Sequence, residues 1–243
     1  MKRLTLYNLK GGVGKTTAAV NLAYCAAASG RRTLLFDLDA QAAASFYLRM
    51  DDNAAPKAKQ LLKDDEAVVE AICPSRWPNL DVLPAHFSLR NLANLLDDHK
   101  KGQQRIDRIL KLVKKNYDLV VIDTPAALNQ ETEAVFAATD LLLLPVIPTP
   151  LSLNALQLVQ AFVREQRLKL DLRCFFSQAD RRKGLHRQLM INADRDLFLR
   201  HYIPYNAEVE KMGELRAPLA SFAPRSKGAL AFNALWQEIA SQL

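Results

Sequence analysis

Residues 10–17, which read KGGVGKTT, have the types and spacing of a loop that binds phosphate groups. The ordinary phosphate-binding pattern, GxxxxGK[ST], would have glycine where this chain has Leu9, and the loop instead begins with an additional lysine, Lys10. Its three glycines allow backbone N–H groups to turn toward phosphate oxygens, and a following helix would add its positive end. The expected phosphate cradle consists of Gly11, Gly12, Val13, Gly14, Lys15, Thr16 and Thr17.

Each polar side chain of this loop has its own expected role with a nucleotide. Lys15 would reach the β and γ phosphates, Thr16 would ligate Mg²⁺, and Thr17 could bond the α phosphate. Residues 3–7 alternate like a short strand, and residues 16–29 are rich in alanine up to a glycine, as in a helix. This strand, loop and helix order is the one that the motif needs.

Three aspartates follow predicted strands and could act on the same phosphates. Asp37 and Asp39 lie in the segment FDLDAQ, and Asp123 ends the apolar segment LVVID. Because parallel sheets bind ligands at the carboxyl ends of their strands, these acids can converge on the phosphate loop. Asp123 would hold Mg²⁺ through water; of the other two, one can brace the metal shell while the other faces the attacking water.

Alternating strands and helices predict an α/β protein. The expected strands are residues 3–7, 33–37, 80–84, 119–123, 141–147 and 172–177. The expected helices are residues 16–29, 42–50, 67–72, 103–115, 131–138, 151–167, 185–201 and 228–241. Strands that are apolar on both faces indicate a mostly parallel, twisted sheet with helices on both faces, the P-loop NTPase fold, and residues 51–65 are the expected surface excursion.

Length and composition favour one soluble domain over residues 1–243. The chain has 243 residues and is 49% hydrophobic, enough for one sizeable core. The longest apolar run, residues 141–147, contains Pro145 and cannot span a membrane, and the amino terminus leads straight into a strand. We therefore expect a cytoplasmic protein. Its three cysteines have no CxxC spacing and are expected to be free thiols.

Positive charge is concentrated late in the chain. The net charge is +7, and residues 164–227 contain 14 Lys/Arg against 8 Asp/Glu. This asymmetry indicates either an anionic partner or a solvated basic face.

Together these motifs resemble those of the ParA/MinD family of deviant Walker ATPases, above all the small ParA-type partition proteins that lack an N-terminal DNA-binding extension. The resemblance extends over almost the full length. It is carried by residues 10–17, 37–41 (DLDAQ), 122–125 (IDTP), 203–206 (IPYN) and 223–228 (APRSKG).

The resemblance implies an ATPase with ATP and Mg²⁺ as cofactors. It implies a homodimer around two ATP molecules, with Lys10 of each subunit crossing to the other's nucleotide and assisting catalysis beside Lys15. Asp39 matches the family's hydrolysis aspartate, which leaves Asp37 for the metal shell. Pro204 and Asn206 belong to the segment that resembles the adenine-packing stretch.

The resemblance also implies that the ATP-bound dimer binds DNA without sequence preference, associates with the nucleoid, and is released when a ParB-like or other activating partner stimulates hydrolysis. The chain departs from the family at Ala40, where proline is common, and at Glu208 and Glu210, where partition ATPases are often basic. Phosphate binding needs only clustered positive charge. The candidate DNA contacts are Arg195, Arg200, Lys211, Arg216, Arg225 and Lys227.

Other functions of related proteins fit the sequence less well. A MinD-like membrane-cycling regulator, the alternative function, would need a basic amphipathic C-terminal helix, yet residues 236–243 contain no Lys or Arg. An iron-protein ATPase of the nitrogenase type would need a cysteine shortly after Asp123, and none follows closely. The cargo, whether plasmid, chromosome or protein assembly, is not specified by any motif.

Overall fold

A seven-stranded sheet forms the centre of the protein in a computed structural model that describes residues 1–97 and 102–243. Its strands are β1 (Lys2–Leu6), β2 (Thr33–Asp37), β3 (Cys73–Pro74), β4 (Leu80–Leu83), β5 (Leu119–Asp123), β6 (Leu141–Val146) and β7 (Asp171–Phe176). The strand order is β3-β4-β2-β5-β1-β6-β7, and β3 alone pairs antiparallel to its neighbour. The predicted mostly parallel sheet is confirmed, and the short edge strand β3 was not predicted.

Helices connect the strands and cover the sheet. They are α1 (Lys15–Ala28), α2 (Ala43–Tyr47), α3 (Ala58–Lys63), α4 (Asp65–Glu70), α5 (Leu92–Asp97), α6 (Gly102–Val113), α7 (Gln130–Ala137), α8 (Pro150–Glu165), α9 (Gly184–Ile191), α10 (Lys211–Leu215), α11 (Leu219–Phe222) and α12 (Lys227–Ala240). Short 3₁₀ turns lie at Asp52–Ala54, Phe87–Asn91 and Ala207–Val209.

Both faces of the sheet are buried, as the apolar strands predicted. Leu35 of β2 packs with α1, α2 and α12 on one face. Its neighbours Leu34 and Phe36 point the other way, toward the layer that contains α3 to α7. Successive strand residues alternate between faces, so a strand that is apolar throughout requires helices on both sides.

The predicted helix over residues 185–201 is wrong in its second half, because α9 ends at Ile191. Residues 197–199 lie instead beside β7, where Cys174 N–H donates to Leu197 O at 2.9 Å and Leu199 N–H donates to Cys174 O at 2.7 Å. Phe198 stacks on Phe176 with ring centroids 4.4 Å apart. The edge of β7 offers unpaired backbone groups, and pairing with them outweighs continuing the helix.

Residues 51–65, the expected surface excursion, lie only partly at the surface. Helix α3 forms within them, and it buries Ala58, Leu61 and Leu62 against the core that contains Phe36. Apolar residues at i, i+3 and i+4 give this short helix one apolar face, which explains the burial.

No helix within residues 1–97 and 102–243 combines the length and apolarity needed to cross a bilayer.

Candidate nucleotide site

The phosphate loop joins β1 to α1 with the backbone geometry that its glycines allow. Gly12 and Gly14 have φ of 72° and 92°, in the left-handed region. A Cβ atom on Gly14 would lie 3.1 Å from the Ser177 hydroxyl, so the position is crowded as well as strained for other residues. No side chain caps the start of α1. The N–H groups of its first turn therefore remain available to an anion.

Asn8 anchors the start of this loop, although the sequence motif did not single it out. It is buried, its amide nitrogen donates to Pro145 O at 2.8 Å, and its side-chain oxygen accepts from Lys10 N–H at 2.9 Å. The backbone of Lys10 is thereby tied to β6. The Lys10 ammonium makes no ion pair with any residue that the structure describes.

Asp37 and Asp123 end adjacent strands and are partners in the β2–β5 register. Both are completely buried. Asp37 accepts hydrogen bonds from the Ser45 N–H at 2.8 Å, the Ser45 hydroxyl at 2.7 Å and the Asp39 N–H at 3.2 Å. Burial raises the pKa of Asp37, and these hydrogen bonds oppose that rise.

Asp123 has no such support. Neither of its carboxylate oxygens has a hydrogen-bond partner among the described residues. Burial and then the charge of Asp37 raise the pKa of Asp123 well above its ordinary value, and the polar Thr16 side chain nearby opposes that rise. Lys15 is buried too, and burial lowers its pKa against the opposing charges of Asp123 and Asp39. The structure therefore brings these five residues together.

This donor set fits Mg²⁺. Buried carboxylate oxygens without partners are costly unless a cation or water completes them. No group of three or more His, Cys, Asp or Glu side chains with metal-ligand geometry occurs in the described part of the chain. Magnesium commonly takes one or two protein carboxylates together with phosphate and water oxygens. Asp123 and the Thr16 hydroxyl could supply the protein share of such a shell.

Glu131 is a further buried acid beside this site, and no motif pointed to it. It lies in the first turn of α7, it is 4% exposed, and its Oε1 atom has no partner within the described chain. Burial, and then the charge of Asp39, raise the pKa of Glu131 to about 8. An acid in this position carries its proton near neutral pH.

A cavity of about 190 Å³ opens beside the phosphate loop. Pro204 and Asn206 line it together with Gly14 and Thr17. Backbone pairing with the extension of β7 holds this segment: Ile203 N–H donates to Phe176 O at 2.8 Å, and Tyr205 N–H donates to Ala179 O at 3.1 Å.

Gly228, at the start of α12, packs closely against the segment that borders this cavity. A Cβ atom there would lie 2.7 Å from the Asn206 amide nitrogen and 2.8 Å from Leu219. The late IPYN and APRSKG motifs therefore meet in space, and the cavity wall depends on a residue without a side chain.

The candidate DNA contacts divide into two groups. Arg200 and Lys227 line one open groove of about 750 Å³ together with Arg181, Arg182 and His201. Arg195 lies beside this groove, in a neighbouring cavity of about 530 Å³ that also includes Arg200. We call the residues Arg181, Arg182, Arg200, His201 and Lys227 the basic groove.

Lys211 and Arg216 lie elsewhere and are already engaged. The Arg216 guanidinium sits 4.5 Å from the centroid of the Phe46 ring and donates to the Phe46 carbonyl at 2.9 Å. Lys211 forms an ion pair with Glu208 at 3.0 Å. Arg225 is exposed but does not line the basic groove. These contacts make Lys211 and Arg216 poorer candidates for phosphate binding than Arg200 and Lys227.

Comparisons with known proteins agree with this geometry. An AAA domain family model matches residues 1–173. The chain is 32% identical to the sporulation initiation inhibitor protein Soj of Bacillus subtilis, over 99% of this chain and 98% of that protein.

Solved structures share the fold along the whole chain. A putative plasmid partition protein from Borrelia burgdorferi bound to AMPPNP superposes with a TM-score of 0.85 at 22% identity, covering 100% of this chain and 99% of that one. The septum site-determining protein MinD from Pyrococcus horikoshii, complexed with Mg-ADP, has a TM-score of 0.78 at 22% identity and covers 98% of this chain and 95% of its own. The phosphate loop, the strand-end acids and these relatives together establish that the chain belongs to the ParA/MinD family of partition and positioning ATPases.

Proposed function

We propose that this chain is a magnesium-dependent ATPase that dimerises with ATP, binds DNA without sequence preference in that state, and positions a plasmid, chromosome or protein cargo. A ParB-like or other activating protein would stimulate hydrolysis and release the dimer. We further propose that residues 1–243 act as one domain in the cytoplasm, on the nucleoid in the ATP state. The observation that carries the proposal is a buried Asp123 without hydrogen-bond partners among the described residues, facing a phosphate loop with an uncapped helix start.

The phosphate loop supplies most of the proposed ATP binding. Lys15 would neutralise the β and γ phosphates, the free N–H groups of α1 would bind phosphate oxygens, and Pro204 and Asn206 would border the base. Magnesium would screen the phosphate charge, with Thr16 and Asp123 holding it. Asp37, which was expected in the metal shell, would instead brace the loop, because its carboxylate already accepts hydrogen bonds from Ser45 and Asp39. Asp39 would orient the attacking water.

The nucleotide assignment is tested by calorimetry on Lys15→Ala, with the exposed Lys114→Ala as the matched control. Lys15→Ala should lose ATP binding, whereas Thr16→Ala should mainly lose the dependence of binding on Mg²⁺. Equal ATP affinity in Lys15→Ala and the wild type would contradict the assignment.

We propose that dimerisation depends on Lys10 and that ATP hydrolysis by the dimer depends on Asp39. The Lys10 side chain is outside the minimal cradle and has no ion-pair partner among the described residues, so it is available to a second subunit. Asp39→Ala should accumulate an ATP-bound dimer, and Lys10→Ala should stay monomeric or fail to hydrolyse. Light scattering with ATP and Mg²⁺ distinguishes these states, and a monomeric Asp39→Ala would refute the scheme.

DNA binding is proposed at the basic groove. Four of its five residues are arginine or lysine, and the exposed Arg195 extends it. One of its charges is partly offset, because Arg182 pairs with Asp180 at 2.9 Å. The His201 ring is hydrogen-bonded to Glu238 at 2.7 Å. A two-fold dimer would present two such grooves, so that individually weak contacts act together.

Arg200→Glu combined with Lys227→Glu should therefore weaken binding to random duplex DNA while leaving ATP affinity unchanged. Lys114→Glu with Lys115→Glu makes the same charge change outside the groove and serves as the control. Wild-type binding should require ATP and fall steeply with salt as counterions are released. A mobility shift that both double variants weaken equally would exclude the groove as the site.

The membrane-cycling alternative finds no support in the last helix. Phe232, Leu235, Trp236 and Ile239 of α12 are buried in the core layer that contains α1. An apolar face that is already packed in this way is not free to enter a membrane interface.

A further inference from the structure

Gln178 connects the phosphate loop to the cavity beside it. The residue follows β7, and its amide nitrogen donates to the Gly12 carbonyl at 2.6 Å. Its side chain also lines the cavity of about 190 Å³ that Pro204 and Asn206 border. None of the sequence motifs includes this residue.

The bond to Gly12 sets the orientation of the amide. A backbone carbonyl can only accept a hydrogen bond, so the NH₂ group of Gln178 must face Gly12. The other polar atom, Oε1, accepts no hydrogen bond from the residues that the structure describes. The cavity is therefore bordered by a hydrogen-bond acceptor whose alternative orientation would break the contact with the phosphate loop.

Hydrogen bonds fix the backbone around Gln178 as well as its side-chain amide. Gln178 has φ of 51°, in the left-handed region, which is unfavourable for a residue with a side chain. Hydrogen bonds on both sides maintain it: Ser177 N–H donates to Val146 O at 2.9 Å, and Ala179 N–H donates to Ile203 O at 3.0 Å. The side chain is thus pre-organised before any ligand binds.

We propose that Gln178 is a specificity-determining residue, whose Oε1 accepts a hydrogen bond from the exocyclic amino group of a 6-aminopurine. The inference rests on the proposed function, in which a nucleotide occupies the phosphate loop with its base in this cavity. A 6-oxopurine would present a carbonyl to the same oxygen, so two acceptors would face each other. Rotating the amide to supply a donor would leave two carbonyl oxygens opposed at Gly12.

The test compares ATP with ITP, which differs from ATP by a 6-oxo group and a protonated N1. Affinities are measured by competition against a fluorescent ATP analogue for the wild type and Gln178→Gly. Glycine adopts the left-handed backbone without strain, so this variant removes the side chain without opposing the fold. The wild type should bind ATP about tenfold more tightly than ITP. Gln178→Gly should bind both about equally, and the same ATP/ITP ratio in both proteins would overturn the inference.

Gln178→Glu distinguishes recognition of the base from stabilisation of the phosphate loop. It keeps an acceptor at the cavity but sets a carboxylate oxygen against the Gly12 carbonyl, so both nucleotides should bind more weakly while ATP remains preferred. If Gln178→Glu no longer preferred ATP over ITP, recognition of the base by the side-chain oxygen would be contradicted. Gln166→Gly, at an exposed helix end, should leave both affinities unchanged. Absence of ATP binding by the wild type would overturn the proposed function together with this inference, whereas an unaltered ratio sinks the inference alone.

Discussion

The carboxyl ends of β2 and β5 carry the same residue type in the same register, and the two aspartates have opposite surroundings. Asp37 accepts three hydrogen bonds from Ser45 and Asp39. Asp123 accepts none from the described residues, although both side chains are fully buried. Burial alone therefore does not distinguish a structural acid from one that awaits a ligand; the supply of donors does.

The loops that follow the two strands explain the difference. After β2 the chain turns back through α2, and this brings the N–H and hydroxyl of Ser45 onto Asp37. After β5 the neighbouring hydroxyl, that of Thr124, donates to the Leu6 carbonyl at 2.7 Å and so is not available to Asp123. The end of β2 braces a loop, and the end of β5 leaves its carboxylate oxygens without hydrogen-bond partners among the described residues.

The largest effect is expected from Asp123→Asn. Removing the charge should lower the rate of magnesium-dependent ATP hydrolysis by about 100-fold or more, because the metal shell loses its carboxylate. The same change should raise the thermal midpoint without ligands, since it removes a buried, unpartnered carboxylate. A variant that hydrolyses ATP at the wild-type rate would show that Asp123 is not a metal-shell residue.

At the end of β2, by contrast, we expect substitution of the aspartate to lower stability. Asp37→Ala should lower the free energy of unfolding by about 3 kcal/mol, because the buried N–H and hydroxyl donors of Ser45 lose their acceptor. Urea unfolding of Asp37→Ala beside Asp123→Ala measures the contrast. Equal losses in the two variants would mean that the hydrogen bonds do not distinguish these acids.

The raised pKa of Glu131 predicts that the stability of the fold depends on pH. Its folded pKa of about 8 lies above the ordinary 4.5, so the folded state binds the proton more tightly than the unfolded state. The wild type should therefore lose stability as pH rises from about 4.5 to about 8. Glu131→Gln, which cannot ionise, should be more stable than the wild type by about 2 kcal/mol at pH 6 and nearly equal to it at pH 4.5. Chemical denaturation at the two pH values checks this, and a difference that does not vary with pH would contradict the buried-acid assignment.

The smallest expected effect sharpens the description of the β2 end. The Ser45 hydroxyl donates to Asp37 and accepts from the Ala85 N–H at 3.0 Å, so it links the ends of β2 and β4. Ser45→Ala should lower the free energy of unfolding by about 1 kcal/mol while Asp37 keeps its backbone donors. The exposed Ser241→Ala is the control and should change stability little. An equal effect of both changes would indicate that the link contributes nothing.

Most strand positions were predictable because the strands contain apolar runs or, in β1, an apolar alternation; the two-residue β3 has neither and was missed. The prediction failed where local spacing competed with distant partners. The sequence pattern of residues 192–201 is compatible with a longer helix, but residues 197–199 pair with β7. Helix α3 within residues 51–65 is stabilised by burial in a core most of whose other members lie far away along the chain.

The sequence alone was enough to predict the phosphate loop, the alternation of strands and helices, and the strand-end position of Asp37 and Asp123. These are local properties, because glycine conformation, hydrophobic periodicity and strand ends depend on near neighbours in the chain. The three-dimensional packing was needed to show which aspartate is hydrogen-bonded, that Glu131 is buried beside Asp39, and that Gln178 contacts Gly12. Each of these depends on contacts between residues distant in sequence, and the number of hydrogen-bond donors that reach a buried atom is set by how the layers pack.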